Sequence, residues 1–239
     1  MSLNGKSALV TGGSKGIGYG VAAALVDAGM DVAITARTES DVRDAEASLV
    51  ARGGGRALGL VCDVRDLAQQ RGTVAATVER FGRLDALIAN AGVGHFASIE
   101  ELAPDDWQRI IDTNVTGVYY SIKAAVEALK ASKGYFVTIG SLAGTNFFPG
   151  GAAYNASKFA VTGFTQAVML DLRTYGIRST VIMPGSVATH FSGSAPSDQD
   201  AWKIQPEDLG GMVRHLLETP ARTLPSKIEV RPSMPPSAR

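Results

Sequence analysis

Short apolar runs alternate along this chain with longer stretches in which apolar side chains recur every three or four residues, the spacing of one helix face. Ala8-Leu9-Val10 opens the series, and Ile17, Val21, Leu25 and Ala28 then carry a helical period that Gly29 ends. Further strands are predicted over 31–36, 57–61, 84–89, 135–139, 179–183 and 227–231, and further helices over 39–52, 66–81, 104–131, 152–175 and 206–218. The strands are continuous apolar runs, as expected when both faces of a sheet are covered. Regular alternation with short connections predicts an α/β fold: a doubly wound parallel sheet of about seven strands with helices on both faces. No linker-like shift in composition interrupts the pattern, so one domain is expected over 1–231, followed by a loose proline-rich tail over 232–239.

Composition narrows the possible functions. With 45% hydrophobic residues in 239 the chain can build a large core, which excludes intrinsic disorder. Lys plus Arg number 23 and Asp plus Glu number 23, so no cationic excess points to nucleic acid or an anionic membrane as a partner. One cysteine excludes an internal disulfide, and with three histidines it offers no metal cluster. No hydrophobic signal core precedes Gly12-Gly13, and no run approaches the ~18 apolar residues of a membrane span. A reducing cytoplasmic setting is expected.

The 27 glycines gather at the ends of apolar runs, where backbone turns or approaches a ligand. Gly12, Gly16 and Gly18 form G-x-x-x-G-x-G between the first strand and first helix, with Ser14, Lys15 and Ile17 in the same turn. Backbone amides and a helix N-terminus there suit a pyrophosphate, and the position in the first βα unit points to a dinucleotide. An NAD site usually carries an acid near the end of the second strand, but this strand ends at Ala36 and continues with Arg37. Arg37 and Lys15 suit a 2′-phosphate, which favours NADPH/NADP+ over NADH/NAD+. In the alternative, both cations are surface charges and Glu39 or Asp41 binds the ribose.

Tyr154 and Lys158 stand four apart on one face of the 152–175 helix. A tyrosine of pKa about 10 needs roughly 4 kcal/mol of help to become a base near neutrality, which a nearby ammonium can contribute to. Ser141 follows the fifth strand at the carboxyl edge of the sheet, where open α/β sheets bind ligands, and its hydroxyl can meet a substrate carbonyl. Asn114 lies within the long helix before it. Taken singly these residues read as surface pair, turn residue and core amide. Their joint occurrence downstream of the glycine turn changes that reading.

At this point the chain resembles the short-chain dehydrogenase/reductase family over roughly residues 5–231. Thr11 to Gly18 matches the TGxxxGxG signature of that family, and Asn90-Ala91-Gly92 its NAG element. Asn114, Ser141, Tyr154 and Lys158 match its catalytic tetrad in order and spacing, and Pro184-Gly185-Ser186-Val187-Ala188-Thr189 its PG-x-V-x-T segment. The resemblance implies a Rossmann-like fold and an NADPH-preferring enzyme. It makes Tyr154 the acid/base and gives Ser141 the polarising of a carbonyl. Lys158 would lower the Tyr154 pKa and bind the nicotinamide ribose, and Asn114 would hold a relay water. Asp63, with Val64, would contact the adenine, while Pro184, Gly185, Val187 and Thr189 would lie beside the nicotinamide. Two departures stand out. Ala89 replaces the first asparagine of the usual Asn-Asn-Ala-Gly, and Ser132 and Tyr175 occupy positions where carrier-protein reductases often have arginine.

The resulting expectation is an NADPH-dependent reductase of a small ketone or aldehyde, assembled as a homotetramer or homodimer through its two long apolar helices. The rivals are an NAD-linked alcohol dehydrogenase, a 3-oxoacyl-thioester reductase, and a catalytically silent nucleotide-sensing scaffold, which should have lost Tyr154 or Lys158. His95, His190, Phe147, Phe148, Phe191 and Trp202 are expected beside the cleft, His215 at the surface, Cys62 as an inert core residue, and 190–205 as a lid.

Overall fold

The structure is a computed structural model that describes residues 2–193, 195 and 197–234. Residues 194 and 196 of the expected lid and 235–239 of the expected tail lie outside the described residues. Seven parallel strands form one sheet: β1 (Ser7–Thr11), β2 (Asp31–Ala36), β3 (Ala57–Val61), β4 (Ala86–Ala89), β5 (Tyr135–Ile139), β6 (Arg178–Pro184) and β7 (Lys227–Val230). Their spatial order is 3-2-1-4-5-6-7, so the direction of winding reverses between β1 and β4. That reversal leaves a crevice beyond the carboxyl ends of the strands, the ordinary ligand position in such sheets.

Side chains alternate between two apolar layers because successive strand residues point to opposite faces. Val10, Ile34, Ile88 and Val137 face helices α1 (Gly16–Asp27), α2 (Glu39–Val50) and α7 (Pro206–Glu218). Leu9, Ala33, Leu87 and Phe136 face α3 (Leu67–Phe81), α5 (Gly117–Ser132) and α6 (Ala152–Leu172). Local signals place the ends of these helices. The Asp66 carboxylate caps α3 by accepting from the amides of Ala68 and Gln69, and Gly82 ends it at φ +82°. Pro206 begins α7 behind a reciprocal capping pair of Gln205 and Asp208. Among the described residues no helix is long and apolar enough to cross a membrane.

The structure differs from the sequence pattern in the long helix expected over 104–131. It is α4 (Pro104–Ile111), a π-helical turn (Asp112–Thr116), and then α5, with the Gly117 amide donating to the Asp112 carbonyl. The chain stays helical through this turn, which widens the hydrogen-bond ladder by one residue, so no break in helical character marks it in the sequence. The helix expected to reach 175 ends at Leu172 and tightens to a 3₁₀ turn over Arg173–Tyr175.

Candidate active site

The crevice at the sheet reversal is a cleft of about 800 Å³, and every predicted site residue except Gly18 and Asn114 lines it. Those two stand just behind its wall. A side chain on Gly18 would overlap the Gly12 carbonyl oxygen, so this glycine lets α1 close against its own loop. Gly12 and Gly16 adopt φ +64° and +56°, the left-handed region that L side chains enter at a cost.

Thr11, at the end of β1, ties the first loop to the fourth strand. Its hydroxyl accepts from the amides of Asn90 and Ala91, each at 3.1 Å. The Asn90 side-chain amide returns bonds to the carbonyls of Thr11 and Gly12 at 2.9 and 3.0 Å. These bonds hold the glycine loop in shape. No side chain caps α1, which leaves its first-turn amides facing the cleft at the positive end of the helix dipole.

Arg37 follows β2 on the rim and has no ion pair among the described residues. Glu39, one of two acids considered for a ribose, is engaged by Arg43. Asp41, the other, stands 3.9 Å from the ammonium of Lys15. Asp63 lines the cleft, but its carboxylate is gripped by Arg65, which holds it below the usual carboxylate range. Sequence reasoning passed over Arg65, since a pairing across one residue leaves no periodic trace.

At the other end α6 carries Tyr154 and Lys158, both buried, with the Lys158 Nζ 5.6 Å from the Tyr154 ring centre. The ammonium donates to the Ile139 carbonyl at the end of β5, 3.1 Å away. Burial lowers its pKa from 10.5 to about 8. Burial pushes the Tyr154 phenol up, with its hydrogen bond to Ser141 pulling the other way. In the chain by itself, desolvation of the phenol thus outweighs its hydrogen bond to Ser141.

Asn114 sits in the π turn, 1% exposed. Its Oδ1 accepts from the Val93 amide at 2.8 Å, and its Nδ2 donates to the Val93 carbonyl and the Ser157 hydroxyl at 2.9 and 3.1 Å. Ser157 in turn donates to the Tyr154 carbonyl at 2.8 Å. With both amide hydrogens committed, the side chain braces the loop after β4 against α6. Ser141 begins a short 3₁₀ turn over Leu142–Gly144, with its Oγ accepting from the Ala143 amide at 3.1 Å. Thr189 stands against Gly16: a Cβ there would lie 3.3 Å from its methyl.

The residues set aside earlier behave in different ways. Cys62 is buried and its thiol is pushed up to about 11, mainly by desolvation, which makes it inert. His215 is exposed on α7, His190 lines the cleft, and His95 faces Asp106 at 3.5 Å. Phe191 lines the cleft whereas Phe147, Phe148 and Trp202 do not. Phe96, which was missed, does so beside Tyr154. Its position two residues after Gly94 in the loop past β4 was the available signal.

A phenol that keeps its proton, a hydroxyl beside it and an ammonium beneath it can deliver a proton to a carbonyl oxygen. Comparison with known proteins agrees with this geometry. The family model for short chain dehydrogenases matches residues 6–200. The chain is 33% identical over 227 residues to a 3-oxoacyl-[acyl-carrier-protein] reductase of Synechocystis, covering 92% of each. It superposes on an alcohol dehydrogenase of the archaeon Thermococcus sibiricus, complexed with 5-hydroxy-NADP, with TM-score 0.91, 28% identity and coverage of 97% and 98%. A short chain dehydrogenase of Burkholderia cenocepacia in complex with NADP gives TM-score 0.87, 32% identity and the same coverage. The chain belongs to the short-chain dehydrogenase family of oxidoreductases.

Proposed function

We propose that this protein is an NADPH-dependent carbonyl reductase in which Tyr154 is the general acid. The observation that carries this reading is the placement of Tyr154 in the cleft wall, hydrogen-bonded to Ser141 and with the Lys158 ammonium 5.6 Å from its ring centre. The cofactor fits residues on hand. Uncapped amides at the start of α1 take the pyrophosphate, and Arg37, which has no ion pair among the described residues, takes the 2′-phosphate. The NADP complexes of two relatives agree with that choice. Asn90, Ala91 and Gly92 form the floor beneath the dinucleotide, and Pro184, Gly185, Val187 and Thr189 the wall at its nicotinamide end. Asp63 and Val64 border the adenine, and there the Arg65 guanidinium competes for the Asp63 carboxylate.

When bound, NADPH supplies a hydride to the carbonyl carbon. Ser141 donates to the carbonyl oxygen and orients it toward Tyr154. Tyr154 Oη then gives its proton to that oxygen as charge develops, which yields the alcohol. Lys158 stabilises the resulting phenolate from below and holds the ribose hydroxyls. Asn114 keeps the turn carrying Tyr154 in register through Ser157.

Replacing Tyr154 with Phe removes one oxygen and leaves the cleft intact. Turnover should fall at least about a hundredfold while NADPH affinity is kept, measured by cofactor oxidation and fluorescence titration. Turnover like that of the unmodified protein would remove Tyr154 from the chemistry.

We further propose a homo-oligomer built on the two long helices, with four copies as the expected number. Tyr119 on α5 and Phe159, Leu170 and Tyr175 on or just past α6 are large, apolar and 44–52% exposed. An apolar area of that extent on adjoining helices fits a symmetric partner.

A further inference from the structure

We infer that the substrate of this cleft is an uncharged ketone bearing an aryl ring next to the carbonyl, held between Phe96 and Phe191. Three loops that are distant in sequence each bring a phenylalanine to the mouth of the site. Phe96 comes from the loop after β4, Phe148 from the loop after β5, and Phe191 from the loop after β6. The Phe96 ring meets the Tyr154 ring edge-on at 5.4 Å, and the Phe191 ring tilts over it at 5.8 Å. Phe148 supports Phe96 from behind at 5.7 Å.

Two of the loops are tied to each other, so Phe96 and Phe148 are positioned rather than draped. The Ala97 amide donates to the Gly150 carbonyl at 2.9 Å, which stitches the first two loops together. The loop with Phe191 is closed at its neck by the bridge between Val187 and Ile204, with the Ala188 amide on the Ile204 carbonyl at 2.9 Å. Yet Phe96, Phe148 and Phe191 remain 47%, 43% and 41% exposed. Rings this large, exposed together around a general acid, present an apolar face that a ligand ring can cover.

Charge points the same way. The carboxylates lining the cleft, Asp41 and Asp63, lie at the dinucleotide end beside Lys15 and Arg65. Of the cations that line it elsewhere, Arg109 is paired with Asp106 and Lys203 with Asp200, and Lys158 belongs to the proton-transfer machinery. Among the described residues, a substrate carboxylate or phosphate would meet no uncommitted Lys or Arg near the phenylalanines. The ring of an aryl ketone lies between Phe96 and Phe191 while its carbonyl oxygen reaches Tyr154 and Ser141.

This assignment rests on the carbonyl-reductase reading, and one experiment separates the two. The full-length protein with NADPH is assayed on butan-2-one, acetophenone and 4-acetylbenzoate. The expected kcat/KM for acetophenone exceeds that for butan-2-one by at least about 30-fold and that for 4-acetylbenzoate by at least about tenfold. Phe96→Ala and Phe191→Ala should each shrink the acetophenone-to-butan-2-one ratio roughly tenfold, and Phe96→Leu, apolar but not aromatic, by less. Using a ratio cancels any general loss of activity in a variant. Reduction of all three ketones with similar efficiency, or a ratio untouched by both alanine variants, overturns the clamp and leaves the carbonyl-reductase reading standing. Cofactor binding with reduction of none of them overturns both.

Discussion

Replacing Lys158 with Met separates what this lysine does for the chemistry from what it costs the fold. Its side chain is 7% exposed, and its ammonium donates to the Ile139 carbonyl without a carboxylate partner among the described residues. Burial brings its pKa from 10.5 down to about 8. Below pH 8 the folded and unfolded chains both hold the proton. Between pH 8 and 10.5 the unfolded chain keeps it while the folded chain releases it, so stability rises with pH across that window. The gap from 10.5 to about 8, at about 1.36 kcal/mol per unit, makes this rise roughly 3 kcal/mol. Methionine has a similar length and no charge, so the variant escapes that cost but leaves the Ile139 carbonyl short of a donor, a loss of about 1–3 kcal/mol. At neutral pH the two effects leave the variant as stable as the parent or more so by up to about 2 kcal/mol, and inactive. The decisive quantity is the stability difference between the two proteins, measured by urea unfolding from pH 7 to 10.5 at one protein concentration. Methionine's advantage should shrink by roughly 3 kcal/mol over the alkaline part of that range. Subtracting the two curves cancels Cys62, whose raised thiol removes stability from both proteins as pH climbs from 9 toward 11. Parallel curves over the whole range would show that Lys158 is not buried as a charge and would refute the reasoning.

Three further outcomes are expected. Arg37→Asp should erode or reverse the preference for NADPH over NADH in kcat/KM, because it exchanges a phosphate partner for a ribose partner; equal efficiency of both cofactors in the unmodified protein would sink the assignment. Asn114→Ala leaves the half-buried Val93 amide and carbonyl without their side-chain partner, so stability should drop by about 1–3 kcal/mol on denaturant unfolding and turnover should fall with it; a variant with unchanged stability would show that the brace is idle. Light scattering at micromolar protein should give a mass near four subunits, falling on Phe164→Glu at the Tyr119 contact, whereas a mass near 25 kDa for the unmodified chain would rule the oligomer out.

The central strands β1, β4 and β5 were legible because each is buried throughout and so reads as a mostly apolar run, whereas β7 at the sheet edge alternates exposed and half-buried residues; β2, β3 and β5 fall on their expected residues. What a run cannot tell is which of its side chains serves which layer. Leu9 and Val10 are equivalent in the sequence and enter different cores in the fold. The glycine loop was legible for a related reason: positive φ at Gly12 and Gly16 and close approach at Gly18 leave few other residues able to stand there. The π turn had no such signature, because its energetic cause lies outside the helix, in the Val93 and Ser157 groups that hold Asn114. Phe96 was missed for the same kind of reason, since it gains its meaning from Tyr154, brought in by folding, whereas Arg65 pairs with Asp63 two residues away and leaves no periodic trace.

The Tyr154–Lys158 pair shows how far residue types alone can carry an argument about chemistry. Spacing of four on a helix correctly puts an ammonium next to a phenol, and in water that proximity would favour the phenolate. The site is not in water. Desolvation disfavours whichever form is charged, so the burial that raises the phenol of Tyr154 lowers the ammonium of Lys158. The two groups are pushed together, toward a state in which tyrosine keeps its proton and lysine holds its own only weakly. Burial therefore costs the pair at both ends, since a raised phenol is a weaker acid and a lowered ammonium holds its charge less firmly beside a phenolate. Charge arriving with a dinucleotide would favour the phenolate. The depth at which this helix face lies, set by the packing of α6 against β5 and β6, therefore acts on both groups at once, and the four-residue spacing supplies only the partners.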